Sequence, residues 1–168
     1  MPQISILFVC LGNICRSPLA EGILRHLAEK AGRADEFLID SAGTGAWHIG
    51  DPPDSRAIAV AADHDIDISG LRARKVAPAD FDRFDLILAL DHDNLLSLRE
   101  SAPSGATARI ALFSEHAFAT AQDVPDPYFG GRAEFDAVYR MLYRGCASIA
   151  GSPKEEPPSY NGNTSSVT

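Results

Sequence analysis

The stretch that most constrains this chain is Ile4-Ser-Ile-Leu-Phe-Val9, which runs directly into Cys10-Leu-Gly-Asn-Ile-Cys-Arg16-Ser17-Pro18. Six residues so rich in Ile, Leu, Phe and Val leave no solvated face, which predicts a strand buried on both sides. Ser17-Pro18 predicts a helix start with Pro18 at the first helical position, where no amide hydrogen is needed inside the helix. The loop between them opens on cysteine and closes on arginine, and its Gly12-Asn13 pair permits backbone angles that most residues avoid. Such a loop, curled over a helix N-terminus, points successive N–H groups into one concavity, which suits a tetrahedral oxyanion. Arg16 can add a planar, two-toothed grip on two of the anion's oxygens. Cys10, on the floor of this cup, would present its sulfur to phosphorus. The strand, the Gly-Asn pair and the Ser-Pro start are separate requirements. Together they outweigh the plainer reading of a buried cysteine and an unrelated surface arginine.

The rest of the chain alternates in the same manner. Leu19, Ile23 and Leu27 share one face, predicting a helix over 18–30 that stops at Gly32. Phe37-Leu-Ile-Asp-Ser41 reads as a second strand, and Asp54 as the N-cap of a helix running to about Asp63. Pro78-Ala-Asp-Phe81 suggests one helical turn, Asp85-Leu-Ile-Leu-Ala-Leu90 a third strand, and Asp91 or Asp93 the cap of a helix holding Leu95, Leu96 and Leu98. Ala108-Arg-Ile-Ala-Leu-Phe113 is the fourth strand, with a loop running on from Ser114. Phe135, Val138, Leu142, Cys146 and Ile149 then step by three or four along one face of a last helix. Alternating strands and helices give parallel pairs with right-handed crossovers. Residues 1–150 are therefore expected to form one α/β domain, a three-layer α/β/α arrangement around a four-stranded parallel sheet, with the phosphate-binding loop after strand one. Residues 151–168, rich in Ser, Pro, Glu, Asn and Thr, are expected to be a disordered tail. In such sheets the ligand lies beyond the carboxyl ends of the strands, where the strand order reverses.

Fifteen Lys and Arg against 23 Asp and Glu leave a net charge of −8, which does not invite nucleic acid or an anionic membrane. An anion site must therefore be made locally, by backbone amides and one or two arginines. Three cysteines, an odd number, do not make a disulfide framework. The N-terminal apolar stretch lacks a basic flank and is too short for a signal peptide or a membrane span, so a reducing, cytoplasmic setting is expected. The five histidines are scattered without ligand spacing, and no metal site is expected.

The stretch from Cys10 to Pro18 resembles the signature loop of the low-molecular-weight protein tyrosine phosphatases, and the order of elements from Ile4 to about Ile149 is similar to that family's. The resemblance implies a phosphatase that needs no cofactor and works through a phosphocysteine on Cys10. Arg16 would bind the phosphate together with Leu11, Gly12, Asn13, Ile14, Cys15 and Ser17 of the loop. Asp126 stands in a loop with Pro127 stiffening the backbone behind it. Asp-Pro is also a common turn pair, but here Asp-Pro-Tyr resembles the family's general-acid motif residue for residue. The same acid, once deprotonated, would activate the water that releases phosphate. Asn13, Ser17 and Ser41 match positions that hold the loop's backbone and donate to the thiolate. Trp47, Tyr128 and Phe129 match the aromatic walls of a slot for a substrate ring. One departure is Leu71, where related bacterial sequences typically carry a histidine that ties to the loop asparagine; the substitution calls for a replacing water or a less rigid loop. Cys15 lies close enough to Cys10 in sequence to pair with it on oxidation, whereas Cys146 reads as a packed core thiol. The implied partner is a phosphotyrosine-bearing protein, a tyrosine kinase among the candidates, and the enzyme itself is expected to be a monomer or weak dimer.

Three other readings compete. A thioredoxin-coupled arsenate reductase shares the fold and loop but needs further cysteines near mid-chain, and residues between Arg16 and Gly145 contain none. A phosphoarginine phosphatase of the same fold would, by the resemblance, carry threonine where this chain has Ile14. A non-catalytic phosphate-binding module would have no need of Cys10, Arg16 and Asp126 together.

Overall fold

The computed structural model describes residues 3–151. Its centre is a parallel sheet of four strands: β1 (Ile4–Cys10), β2 (Phe37–Gly43), β3 (Leu86–Ala89) and β4 (Arg109–Leu112). They lie in the order β2-β1-β3-β4, so β1 is paired on both sides, with Ile6 opposite Ile39 on one neighbour and Leu86 on the other. From β1 the chain moves outward to β2, then crosses back to β3. The order thus reverses at β1, whose last residue is Cys10.

Around the sheet lie α1 (Arg16–Lys30), a 3₁₀ turn at Ala34–Glu36, α2 (Ser55–Ala62), α3 (Asp80–Arg83), α4 (His92–Ser101), α5 (Phe113–Phe118) and α6 (Arg132–Ile149). Successive side chains on β1 point to opposite faces, and the two cores divide accordingly. Ile6 and Phe8 join Leu19, Ile23, Leu88, Phe135 and Leu142 under α1 and α6. Leu7 and Val9 join Phe81, Phe84, Ile87, Leu95 and Leu98 under α3 and α4. This is the expected three-layer arrangement, and the continuous apolar run of β1 is explained by burial on both faces. No helix among the described residues is long and apolar enough to cross a membrane.

Three local expectations are corrected. The first helix begins at Arg16, so Pro18 is its third residue rather than its first; no N–H of a first helical turn has an intrahelical partner, and proline is tolerated there too. β3 is shorter than its apolar run, because the Asp85 carboxylate turns back to accept from Ser5 N and Ser5 Oγ, both at 2.9 Å. Phe113 does not end β4 but opens α5, where a loop was expected. Its ring packs near Phe8 and Phe118, at centroid distances of 6.1 and 6.4 Å, and against Gly145, where a Cβ would come within 2.2 Å of it. Complete burial of such a ring is worth about 1.5–3 kcal/mol, and a helical position secures it as well as a strand would. The tail expected over 151–168 lies outside the described residues, apart from Gly151.

Candidate active site

Residues 11–15 wrap over the end of β1 and deliver the chain into α1. Asn13 takes φ +56°, the left-handed region that asparagine tolerates better than most residues. The end of β2 supports the loop from beneath: Thr44 N donates to Cys10 O and Gly45 N to Leu11 O, both at 2.9 Å. That approach requires Gly43 to lack a side chain, since a Cβ there would lie 2.8 Å from Leu11 O and 3.2 Å from Asn13 N. Among the described residues, the N–H groups of Leu11 to Arg16 bond no backbone acceptor. They remain available to an anion.

Cys10 is 3% exposed, at the floor of a cleft of about 240 Å³ lined by Leu11, Gly12, Ile14, Cys15, Trp47 and Tyr128 among others. Arg16, Asp126, His48 and Phe129 complete its walls. Cys10 Sγ is 2.9 Å from Ser17 Oγ, which in turn accepts from Asn13 Nδ2 at 2.8 Å. With one lone pair so engaged, the Ser17 hydroxyl can turn its own proton to the sulfur. Asn13 Nδ2 also donates to Ser41 Oγ at 3.0 Å, and Asn13 Oδ1 accepts from Arg74 N at 3.0 Å. Asn13 therefore has its partners without a histidine. Leu71 packs at the edge of the larger core, and the Arg74 amide supplies one bond to the carbonyl side of Asn13.

Arg16 is 3% exposed and pinned from behind: Nη1 donates to Asp91 Oδ2 at 2.6 Å and to Val124 O at 2.9 Å. Burial works against its charge, but the negative neighbours Cys10, Asp91 and Asp126 outweigh burial and hold its pKa above the ordinary value. The Nε and Nη2 edge is left for the two-toothed grip. Asp91 was legible only as a cap, and it does cap α4, its Oδ1 accepting from Asn94 N at 2.8 Å. Its second oxygen holds Arg16. The signal for that role was its position, directly after a buried strand that ends in the same crevice.

Asp126 lies on the opposite wall, with Oδ2 3.7 Å from Arg16 Nη2 and Oδ1 accepting from Tyr128 N at 3.1 Å. Asp123 is turned away and accepts from the backbone N–H and the ring of His92. Trp47 and Phe129 stand at the rim, 73% and 96% exposed, and Tyr128 meets Phe129 edge to face at 5.0 Å. Arg56, not singled out from the sequence, lies 5.5 Å over the Tyr128 ring and donates to Gly130 O at 3.0 Å. It is also paired with Asp54, whose N–H donates to Ile14 O at 2.8 Å. Arg56 and Asp54 thus tie the floor of the cleft to its aromatic wall. His48 also lines the cleft, its Nδ1 3.2 Å from Asp51 Oδ2. Cys146 is fully buried in the core, as expected.

A cysteine sulfur, a pinned guanidinium, free amides and a half-exposed carboxyl around one cavity are groups whose chemistry suits displacement at phosphorus. The sequence model described as low molecular weight phosphotyrosine protein phosphatase matches residues 5–157. A low molecular weight phosphotyrosine protein phosphatase of Schizosaccharomyces pombe is 46% identical over 142 residues, covering 83% of this chain and 90% of that protein. The crystal structure of YfkJ from Bacillus subtilis matches with a TM-score of 0.82 and 41% identity, covering 90% of this chain and 94% of that one. The crystal structure of DARP, a Drosophila arginine phosphatase, matches with a TM-score of 0.80 and 33% identity, covering 87% and 95%.

Proposed function

This chain belongs to the low molecular weight phosphotyrosine protein phosphatase family, and from that premise we propose that it hydrolyses phosphotyrosine in proteins through a phosphocysteine on Cys10. In the first step the Cys10 thiolate attacks phosphorus and the bond to the tyrosyl oxygen breaks. Asp126 gives that oxygen its proton. Arg16 and the loop amides carry the charge on the equatorial oxygens throughout. In the second step the Asp126 carboxylate takes a proton from water, the water oxygen attacks phosphorus and the S–P bond breaks. Thiolate, inorganic phosphate and protonated Asp126 result. The observation that carries this reading is that Asp126, more than a hundred positions along the chain, lines one cleft with Cys10 and Arg16, with Ser17 Oγ 2.9 Å from the sulfur. The cytoplasm is the proposed setting. The proposed substrate is a phosphotyrosine-bearing protein, with a tyrosine kinase among the candidates.

Ile14 favours phosphotyrosine over the phosphoarginine that an arginine phosphatase handles. It lines the cleft two positions before Arg16. A flat, apolar ring gains contact area beside an aliphatic side chain. A phosphoarginine guanidinium brings several N–H donors, and leaving one unpaired against isoleucine costs about 1–3 kcal/mol. Threonine would supply an acceptor at nearly the same size. The wild type is expected to prefer matched phosphotyrosyl over phosphoarginyl peptides in kcat/KM, and Ile14→Thr to shift that ratio toward phosphoarginine by about tenfold or more. A wild type that already favours phosphoarginine, or an unmoved ratio in the variant, removes Ile14 as the selector.

The second thiol in the cleft bears on redox control. Burial, with the charges of Asp54, Cys10 and Asp126, pushes the Cys15 pKa well up, so it waits as a neutral thiol beside the reactive sulfur. Mild peroxide is expected to convert the Cys10 thiolate to a sulfenic acid. Cys15 then displaces its oxygen as water to form a disulfide, which dithiothreitol reopens. Cys15→Ser should stay active but lose that recovery. Mass spectrometry finding sulfinic acid at Cys10 and no linked peptide in the oxidised wild type would reject the protective disulfide.

A further inference from the structure

The reaction gives no part to Glu21, yet this carboxyl on α1 is only 3% exposed. Buried carboxylates are rare unless their oxygens have partners. Both do here: Oε1 accepts from Ser41 Oγ at 2.7 Å, and Oε2 is 3.0 Å from Arg25 Nη1. Ser41 is the branch point. Its one hydroxyl proton goes to Glu21, so toward Asn13 it presents only lone pairs, which receive Asn13 Nδ2 at 3.0 Å. The other Nδ2 hydrogen goes to Ser17 Oγ, which leaves the Ser17 proton free to point at Cys10 Sγ, 2.9 Å away, where an ionised sulfur can only accept.

We propose that Glu21 is a positioning residue for the nucleophile: by accepting the Ser41 proton it holds the Asn13 amide donors in place, and through them keeps the Ser17 hydroxyl proton on Cys10 Sγ. Without an acceptor at Glu21 the Ser41 proton has two options. It stays orphaned in a buried site, or it turns toward the Asn13 amide and opposes the two donors there. Either way the grip on Asn13 loosens, and Asn13 is the loop residue held at φ +56°. Arg74 N fixes the carbonyl side of the same amide at 3.0 Å, so Asn13 is gripped from two directions and Glu21 governs one. The charged groups acting on Glu21 are Arg25, which opposes burial, and Asp40, which adds to it; burial leads and raises the Glu21 pKa. A carboxylate kept at that cost, one hydroxyl from the loop asparagine, is better explained by the polarity it imposes than by stability.

The inference rests on Cys10 being the nucleophile, and its test reads that sulfur directly, so it stays decisive whatever phosphate ester the protein turns over. Alkylation of Cys10 by iodoacetamide is followed by peptide mass spectrometry from acid to neutral pH. Glu21→Met, which removes the acceptor and fills the space, is expected to slow alkylation about tenfold on the acid limb of the profile, the scale of a lost hydrogen bond to a charged group. The neutral plateau should not fall, and Tm should be unchanged or higher. Arg25→Met, which removes the half-exposed ion pair and the bond from Arg25 Nη2 to Ile39 O but leaves the Glu21 acceptor facing Ser41, should keep the wild-type profile. Ser41→Ala should reproduce the Glu21→Met profile, and the double variant should show no further loss. Should Glu21→Met fail to fold, Glu21→Leu is read in its place, because Ser41→Ala removes the oxygen that receives Asn13 together with the proton given to Glu21. The proposal is overturned if either variant keeps the wild-type acid limb, if their losses add, or if Arg25→Met slows alkylation as much as Glu21→Met.

Discussion

Cys10→Ser protein is expected to bind phosphate and vanadate as the wild type does while losing turnover of an aryl phosphate by on the order of 10⁴-fold or more. The binding half of this result follows from what the substitution leaves alone. Arg16 remains pinned by Asp91 and Val124, and the N–H groups of Leu11 to Arg16 still face the cup. The turnover half follows from the proton on a serine hydroxyl. A serine at this position needs a base to remove that proton, and Asp126, the carboxyl in the cleft, has to carry a proton for the leaving oxygen in the same step. Ser17 Oγ, 2.9 Å from the sulfur, is engaged as an acceptor by Asn13, and Asp91 is committed to Arg16. Thermal unfolding should be nearly unaffected, because a hydroxyl of similar size still has Ser17 as partner. Steady-state turnover and vanadate titration on one preparation check both halves. Substantial turnover by Cys10→Ser would reject the covalent path and return Cys10 to the role of a buried thiol.

The legible part of this site was the part made by neighbours in sequence. A strand buried on both faces, a short loop and a helix start are each written in a local pattern, and β1 with the loop from Leu11 to Cys15 follows that pattern to within a residue or two. The parallel sheet also followed from alternation alone. Contacts across the chain were not legible in this way. Arg16 and Asp91 are 75 positions apart, and an aspartate after a strand serves as a helix cap whether or not an arginine lies behind it. Asn13 and Arg74 meet through a backbone amide, which leaves no trace in side-chain identity, so this bond to the loop asparagine could not be seen from the sequence. Phe113 shows the same limit within the fold. An apolar residue after Arg-Ile-Ala-Leu fits the end of a strand or the buried face of a short helix, and only the space at Gly145 decides between them. Glu21 was hidden for the opposite reason. A glutamate between apolar helix positions reads as solvated, and its 3% exposure arises from β2 lying across it at Ser41.

Asp126→Ala is expected to lower kcat by roughly 10²–10⁴, the usual worth of a positioned general acid. The loss should depend on the leaving group. A phenolate from a tyrosyl side chain departs poorly without a proton, whereas an activated aryl phosphate releases an anion that needs little help, so its kcat should fall least. KM should change little. The nearest basic group, Arg16 Nη2, is 3.7 Å from Asp126 Oδ2, and Arg16 keeps its two closer partners when Asp126 is removed. The local backbone loses one bond, the 3.1 Å contact from Tyr128 N, which sits in a half-exposed loop and adds little to stability. Asp123 cannot take over, because its carboxylate is already bound by the N–H and the ring of His92. The decisive measurement is kcat across a series of aryl phosphates of graded leaving-group basicity, in wild type and variant. A variant loss that steepens with basicity identifies Asp126 as the proton donor to the leaving oxygen. A loss equal for every leaving group, with KM falling alongside kcat and kcat/KM unchanged, would limit Asp126 to activating water in the second step, since that step begins from the same phosphocysteine whichever phenol has departed.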